Sequence, residues 1–222
     1  MSVCGQPLAD GTGCAEPVAK AGQLCAAHRR ADVAARAAQI RALRRRAPLQ
    51  SDAPPLADED AAAIFATLDR HRVAYVVIGG MAAAMWGADL PRTTDADIVP
   101  AADTDNLPRL AAALEELGAR LRVPGQPDGL PAPLDAEVLA GRSILTLVTD
   151  HGPLDLTFQP DGTGGYDDLV RRATRRTVGD HPSVPVADLA DVINSKEAAG
   201  RAKDLIALPA LRRLLARLRP SP

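Results

Sequence analysis

A chain of 222 residues with 46% hydrophobic and 24% charged residues has the makeup of a globular protein, and its length fits one domain plus an appendage. Only 2% of the residues are aromatic, so the core is aliphatic and stacking of bases on aromatic rings is not a main binding mode. A formal charge of −2 argues against a uniformly basic nucleic-acid binder, and no apolar run approaches membrane-spanning length.

The N-terminus is polar and carries Cys4, which does not suit a signal peptide, so the cytoplasm is the expected compartment. All the cysteines, Cys4, Cys14 and Cys25, fall before His28, and an odd count in a reducing compartment argues against a disulfide framework. With His28 they supply three thiolates and an imidazole, a closed tetrahedral set for structural Zn²⁺. Glycines 5, 11, 13 and 22 suit the tight turns that would bring such ligands together. A segment this short cannot bury a core, so its fold would need the metal. The competing reading is a tail with chance cysteines. The spacing, ending in Cys25-x2-His28, resembles small CCCH zinc modules found at the ends of bacterial and phage proteins.

Residues 1–30 are therefore read as a zinc module and 31–57 as a basic helix and Pro-rich linker. Arg29, Arg30, Arg36, Arg41, Arg44, Arg45 and Arg46 face a single acid, Asp32. Such a helix either contacts the phosphates of RNA or DNA or is a solvated connector. Pro48, Pro54 and Pro55 mark the linker.

Residues 58–222 form the main domain. Ile64, Phe65 and Leu68 share one face of a helix predicted over Asp60–Arg72. Tyr75 to Ile78 reads as a buried strand, stopped by Gly79-Gly80, with a helix-like segment from Met81 to Trp86. A second strand, Asp95 to Val99, puts Asp95 and Asp97 on one face, about 7 Å apart along the chain. Two carboxylates so placed raise a pKa unless a cation lies between them, and Mg²⁺ takes oxygen ligands together with substrate phosphates. Gly79 and Gly80 permit close approach of backbone to a phosphate, and Arg92 either contacts phosphate or is a solvated loop residue. Met81, Met85 and Trp86 read as core.

Asn106 to Gly118 is a packing helix, and residues 123–133 read as a Pro/Gly loop without assignable chemistry. Ser143–Thr149 and Pro153–Phe158 form a predicted hairpin around Asp150-His151-Gly152. Asp155 is a lone carboxylate inside an apolar strand, an expensive choice unless a backbone amide or a function holds it. Residues 162–168 read as a connection, and Val178 and 184–186 as short edge strands. Asp188 is a predicted N-cap for a helix to Ala199; Gly200 breaks it, and another begins at Lys203. Lys196, Arg201, Lys203 and Asp204 surround the break.

The order strand, Gly79-Gly80, helix, then Asp95-x-Asp97 between apolar residues resembles the nucleotidyltransferase superfamily of DNA polymerase β type. From Glu59 to Leu218 the text is similar to minimal bacterial nucleotidyltransferases of AbiEii-like or MenT-like kind. The run Ser195-Lys196-x4-Arg201-x-Lys203-Asp204 is a second likeness. The resemblance implies a mixed α+β core, with a mixed sheet flanked by helices. It implies Mg²⁺ at Asp95 and Asp97, with Asp155 as the third carboxylate, either taking the proton of the attacking hydroxyl or completing the metal shell. Gly79, Gly80, Arg92, Lys196 and Asp204 would serve the nucleotide, Lys196 as a triphosphate contact. The implied reaction moves a nucleoside monophosphate from an NTP to an acceptor, the RNA 3′ end of tRNA in toxin-like members, with an antitoxin as a possible partner. A small-molecule or protein acceptor stays open, as does a nucleic-acid-binding zinc protein whose core is catalytically silent.

Overall fold

The computed structural model describes residues 2–4, 6, 13–15, 17–18 and 53–219. The chain divides into two compact units, Met1–Pro48 and Leu49–Pro222. In the first, β1 (Ser2–Val3) pairs antiparallel with β2 (Pro17–Val18). Cys4 and Cys14 are buried, and the Cys14 N–H donates to the Gln6 carbonyl at 2.8 Å. Cys25, His28 and the arginines of the basic connector lie outside the described residues.

The second unit opens with α1 (Asp58–Arg70), whose Ile64, Phe65 and Leu68 are fully buried, as their spacing requires. There follow β3 (Tyr75–Val77), α2 (Gly79–Met85), β4 (Ala96–Pro100) and α3 (Asn106–Glu116). Next come β5 (Arg120–Val123), β6 (Gln126–Leu130), α4 (Ala136–Ala140), β7 (Ile144–Thr149) and β8 (Gly152–Thr157). The chain continues through α5 (Tyr166–Leu169), β9 (Thr174–Val178), β10 (His181–Val186), α6 (Leu189–Ala199) and α7 (Ala202–Leu218). No helix among the described residues is long and apolar enough to cross a membrane.

Strands β3 to β10 make one mixed sheet in the order β6-β5-β7-β8-β4-β3-β10-β9. The β4–β8 and β3–β10 pairs are parallel and the other neighbours antiparallel. Helix α3 packs against α1 and α4, and α6 packs against α2 and α7. The fold is the expected α+β arrangement, a mixed sheet flanked by helices. Burial alternates along the β7–β8 hairpin: Leu145, Leu147, Leu154 and Leu156 are buried, while Thr146, Val148, Asp155 and Thr157 on the other face are half-buried. Asp155 is thus carried on the sheet face opposite the buried leucines.

Three details depart from the sequence reading. The segment expected as a Pro/Gly loop is the β5–β6 hairpin, with Val123 opposite Gln126 around Gly125 at φ 78°. Its second strand is an outermost strand that is mostly exposed, where proline and polar residues are tolerated, so composition hid it. Strand β10, expected at an edge, is internal, between β3 and β9. Gly79-Gly80, read as a turn, instead forms the first two residues of α2. The cap expected at Asp188 is present, its carboxylate accepting from the Ala190 N–H at 2.9 Å, and Gly200 ends α6 in the left-handed region.

Asn106 ties the start of β3 to the end of β4. Its buried amide accepts from the Ala74 N–H at 2.7 Å and donates to the Ala74 and Ala101 carbonyls at 3.0 and 2.9 Å. The Ala74 carbonyl also accepts from the Ala101 N–H, so Asn106→Ala strips the partner from the Ala74 N–H and the Ala101 carbonyl, and urea unfolding should show a loss of about 2–3 kcal/mol; an unchanged midpoint would remove the clamp from this account.

Candidate active site

Strand β4 enters the sheet directly after Asp95, and the site is built around that entry. The Ile78 N–H donates to the Asp97 carbonyl at 3.0 Å, which extends the β3–β4 ladder to the start of α2. The chain then turns through Gly79 at φ +72°, where a Cβ would come within 2.1 Å of Asp97 Oδ2. Both the backbone conformation and the contact require glycine. The Gly80 N–H faces Asp97 Oδ2 at 3.4 Å, a long contact. A Cβ on Gly80 would lie 2.8 Å from Thr93 Oγ1, and that hydroxyl donates to Asp95 Oδ1 at 2.9 Å. The two glycines therefore hold backbone against the acidic strand.

Asp155 arrives from β8, which runs parallel to β4 with Asp97 directly opposite Asp155. Asp95, Asp97 and Asp155 each offer a carboxylate oxygen, all within 4.8 Å of one another. Asp95 stands one residue before the strand rather than in it, yet its carboxylate joins the other two. Burial pushes the Asp97 carboxyl up to about 7, with Asp95 and then Asp155 adding repulsion against the opposing pull of Lys203 and the Gly80 N–H. Asp155 is raised as well, chiefly by burial; the Arg122 guanidinium beside it opposes the shift and Asp95 adds to it. Arg122 Nη2 reaches both Asp155 oxygens, at 2.6 and 2.8 Å. Three hard oxygen donors that destabilise one another's charge fit a Mg²⁺ ion.

The cations come from the α6–α7 junction. Lys196 donates to Asp204 Oδ1 at 2.9 Å and Arg201 Nε to Asp204 Oδ2 at 2.5 Å. Asp204 is wholly buried; burial raises its carboxyl, but Lys196 and Arg201 together hold it below the usual carboxylate range. Asp204 thus anchors two cations and leaves them facing a cleft of about 560 Å³, a volume typical of small-ligand sites. Gly79, Gly80, Arg92, Thr93, Asp95 and Asp97 line that cleft together with Lys196, Arg201 and Lys203; Leu90, Pro91, Ile206 and Ala207 supply apolar wall. Arg92 reaches the cleft while its guanidinium pairs with Asp58 at 2.5 Å, an exposed pair of small energetic weight.

Of the residues picked from sequence, Asp95, Asp97 and Asp155 cluster, and Gly79, Gly80, Arg92 and Lys196 line the adjoining cleft. Asp204 lies beneath it, holding Lys196. The four zinc ligands are not brought together among the described residues, since Cys25 and His28 fall outside them. Sequence reasoning assigned no role to Arg122, Thr93, Arg201 or Lys203. The period-two run Arg120-Leu121-Arg122-Val123 was a strand signal that would have put both arginines on one face. Trp86, read as core, is half-buried; its indole N–H donates to the Ala187 carbonyl at 2.8 Å and Arg176 stacks on its ring at 3.5 Å.

No protein-family model and no curated protein matches the chain. Among solved structures, the lincomycin-bound lincosamide antibiotic adenylyltransferase LnuA is similar at 15% identity and a TM-score of 0.50, over 72% of this chain and 99% of that one. The antibiotic-resistance factor ANT(2'')-Ia gives 14% identity and 0.40 over 72% and 94%, and an antigenic nucleotidyltransferase-like protein from Paracoccidioides brasiliensis gives 16% and 0.39 over 74% and 89%. The chain has the nucleotidyltransferase fold.

A carboxyl whose pKa rises on folding binds its proton more tightly in the folded state. Its ionisation therefore favours unfolding, and the contribution of Asp97 to stability falls as pH rises from about 4, the unfolded value, to about 7. The metal-free protein should accordingly gain little from Mg²⁺ near pH 5. Near pH 8 Mg²⁺ should raise the melting temperature by about 4 °C or more. A Mg²⁺ effect equal at the two pH values, or none at either, would contradict the site's electrostatics.

Proposed function

We propose that this protein transfers a nucleoside monophosphate from an NTP to an acceptor hydroxyl and releases pyrophosphate. The observation that carries the reading is the convergence of Asp95, Asp97 and Asp155 beside a cleft bordered by Lys196, Arg201 and Lys203. A triphosphate needs cations on its oxygens, and in-line displacement needs the two reactants positioned and their charge neutralised.

Asp95 and Asp97 would hold Mg²⁺, which when bound neutralises triphosphate charge and favours departure of pyrophosphate. Lys196, Arg201 and Lys203 take the β and γ phosphates, with Asp204 fixing the first two. Gly79 and Gly80 bring the start of α2 against the acidic strand at the cleft wall where a phosphate would lie, and Arg92 sits at the same wall. Asp155 accepts the proton of the acceptor hydroxyl as the new oxygen–phosphorus bond forms and the bond to pyrophosphate breaks; a raised carboxyl pKa suits that role. Completion of the metal shell by the same carboxylate is compatible with this geometry.

The acceptor we favour is an RNA 3′ end such as that of tRNA. The basic connector and the likeness to toxin-type nucleotidyltransferases support it, and the same likeness supports an antitoxin partner in the cytoplasm. A small-molecule hydroxyl is the second reading, supported by the fold shared with a lincosamide adenylyltransferase. The N-terminal unit we assign to Zn²⁺ on Cys4, Cys14, Cys25 and His28; the burial of Cys4 and Cys14 supports that assignment.

Incubating the full chain with each labelled NTP and Mg²⁺, beside total RNA or a panel of hydroxylated antibiotics, tests the reaction and sorts the acceptors. Asp95→Ala/Asp97→Ala should lower transfer by about 100-fold or more, and Lys196→Ala should raise the KM for NTP by about tenfold. A wild-type protein that labels nothing, or a double variant as active as wild type, would overturn the enzyme reading in favour of a silent core in a nucleic-acid-binding protein.

A further inference from the structure

Arg122 stands on β5, on the opposite side of Asp155 from Asp97. The sheet register draws these residues into one row. Asp97 is opposite Asp155, Asp155 is opposite Thr146, and the pairing of Leu121 with Leu147 puts Arg122 level with Thr146. A threonine is short, so the guanidinium crosses β7 to reach the carboxylate. It does so with Nη2 alone, which contacts both Asp155 oxygens. Nε and Nη1 have no partner among the described residues, are not among the buried unsatisfied atoms, and belong to a side chain 36% exposed. An arginine that served only to neutralise Asp155 would best present its two-pronged edge to the carboxylate; here three N–H donors are left without a partner among the described residues.

The surface around it is open. Ile144 is 60% exposed, and Thr146, Val148 and Thr157 on the same face are half-buried. The nucleotide cleft lies on the other side of the triad, so this face is where an acceptor hydroxyl can approach Asp155. Guanidinium donors left free in this way suit phosphate oxygens.

We propose that Arg122 binds a phosphate of the acceptor, next to the hydroxyl that Asp155 deprotonates, so that the β5–β8 face is a subsite for phosphate-bearing hydroxyl compounds. This rests on the nucleotidyl-transfer reading. The same guanidinium then ties acceptor and base together, which selects for hydroxyls that carry a phosphate nearby and against those that do not.

The test uses the full chain with its cleft filled by Mg²⁺ and a non-hydrolysable NTP analogue. Three probes are titrated: an oligoribonucleotide with a free 3′ hydroxyl, a nucleoside 5′-monophosphate, and the nucleoside without phosphate. Arg122→Gln should weaken one or both phosphate-bearing probes by about 10- to 100-fold, Arg122→Lys by less, and the phosphate-free nucleoside should not change. Loss confined to the oligoribonucleotide identifies a polynucleotide end; loss of both identifies a phosphate ester in general. Thermal unfolding of each variant confirms that it is folded. A wild-type protein without preference for phosphate-bearing probes overturns the proposal. So does an Arg122→Gln variant whose affinities for both phosphate-bearing probes equal those of the wild type, since Arg122 would then only position Asp155. Mg²⁺-dependent binding of the NTP analogue to the wild type is measured alongside: its absence removes the nucleotidyl-transfer reading as well, whereas its presence with insensitive probes removes the Arg122 proposal only.

Discussion

Mutual repulsion of three carboxylates within 4.8 Å is the constraint that the rest of the domain accommodates. Left to themselves, such groups would separate or take up protons. The fold prevents separation by putting Asp97 and Asp155 at paired positions of two parallel strands, where neither can move without breaking the ladder. Gly79 closes the opposite side: its missing side chain is the space that Asp97 occupies. In the metal-free molecule burial first, and this repulsion second, raise Asp97 to about 7. A divalent cation relieves the same repulsion without a proton, so the structure is biased toward binding one.

Positive charge is arranged around this centre in two ways. Toward the cleft, Lys196 and Arg201 are both held by Asp204, a carboxylate with no exposure at all. A buried charge of this kind is tolerated only when paired on both oxygens, and it fixes the geometry of its partners more than it adds stability. On the other side, Arg122 holds Asp155 across β7. The centre is therefore flanked by cations of different accessibility: a tethered pair facing a cleft of about 560 Å³, and a single guanidinium facing an open sheet.

Much of this was legible in the chain. The apolar strand before Gly79-Gly80, the Asp-x-Asp step and the Gly200 break are local signals, each tied to one backbone requirement, and the structure contains each of them. Asp155 was legible for a physical reason too, since an acid between leucines in a strand asks for a partner. What stayed hidden was set by pairing between distant segments. Arg122 gains its meaning only when β5 is laid beside β7 and β8, and composition obscured even the existence of β6. Arg92 was read as a phosphate contact or a solvated residue; its partner, Asp58, is distant in sequence. Gly79-Gly80 opens a helix against propensity, and the closeness of Asp97 to Gly79 and of Thr93 to Gly80 explains it, which no local pattern shows.

The central claim, that residues 95, 97 and 155 form one site for a divalent cation, is tested most directly by electron paramagnetic resonance of Mn²⁺ used in place of Mg²⁺. The account predicts that wild-type protein depletes the free-ion signal with saturation at about one ion per chain at this site, and that Asp97→Asn and Asp155→Asn each weaken that binding by about tenfold or more. Binding that persists undiminished in both variants, or a free-ion signal that the wild type leaves untouched, would contradict it.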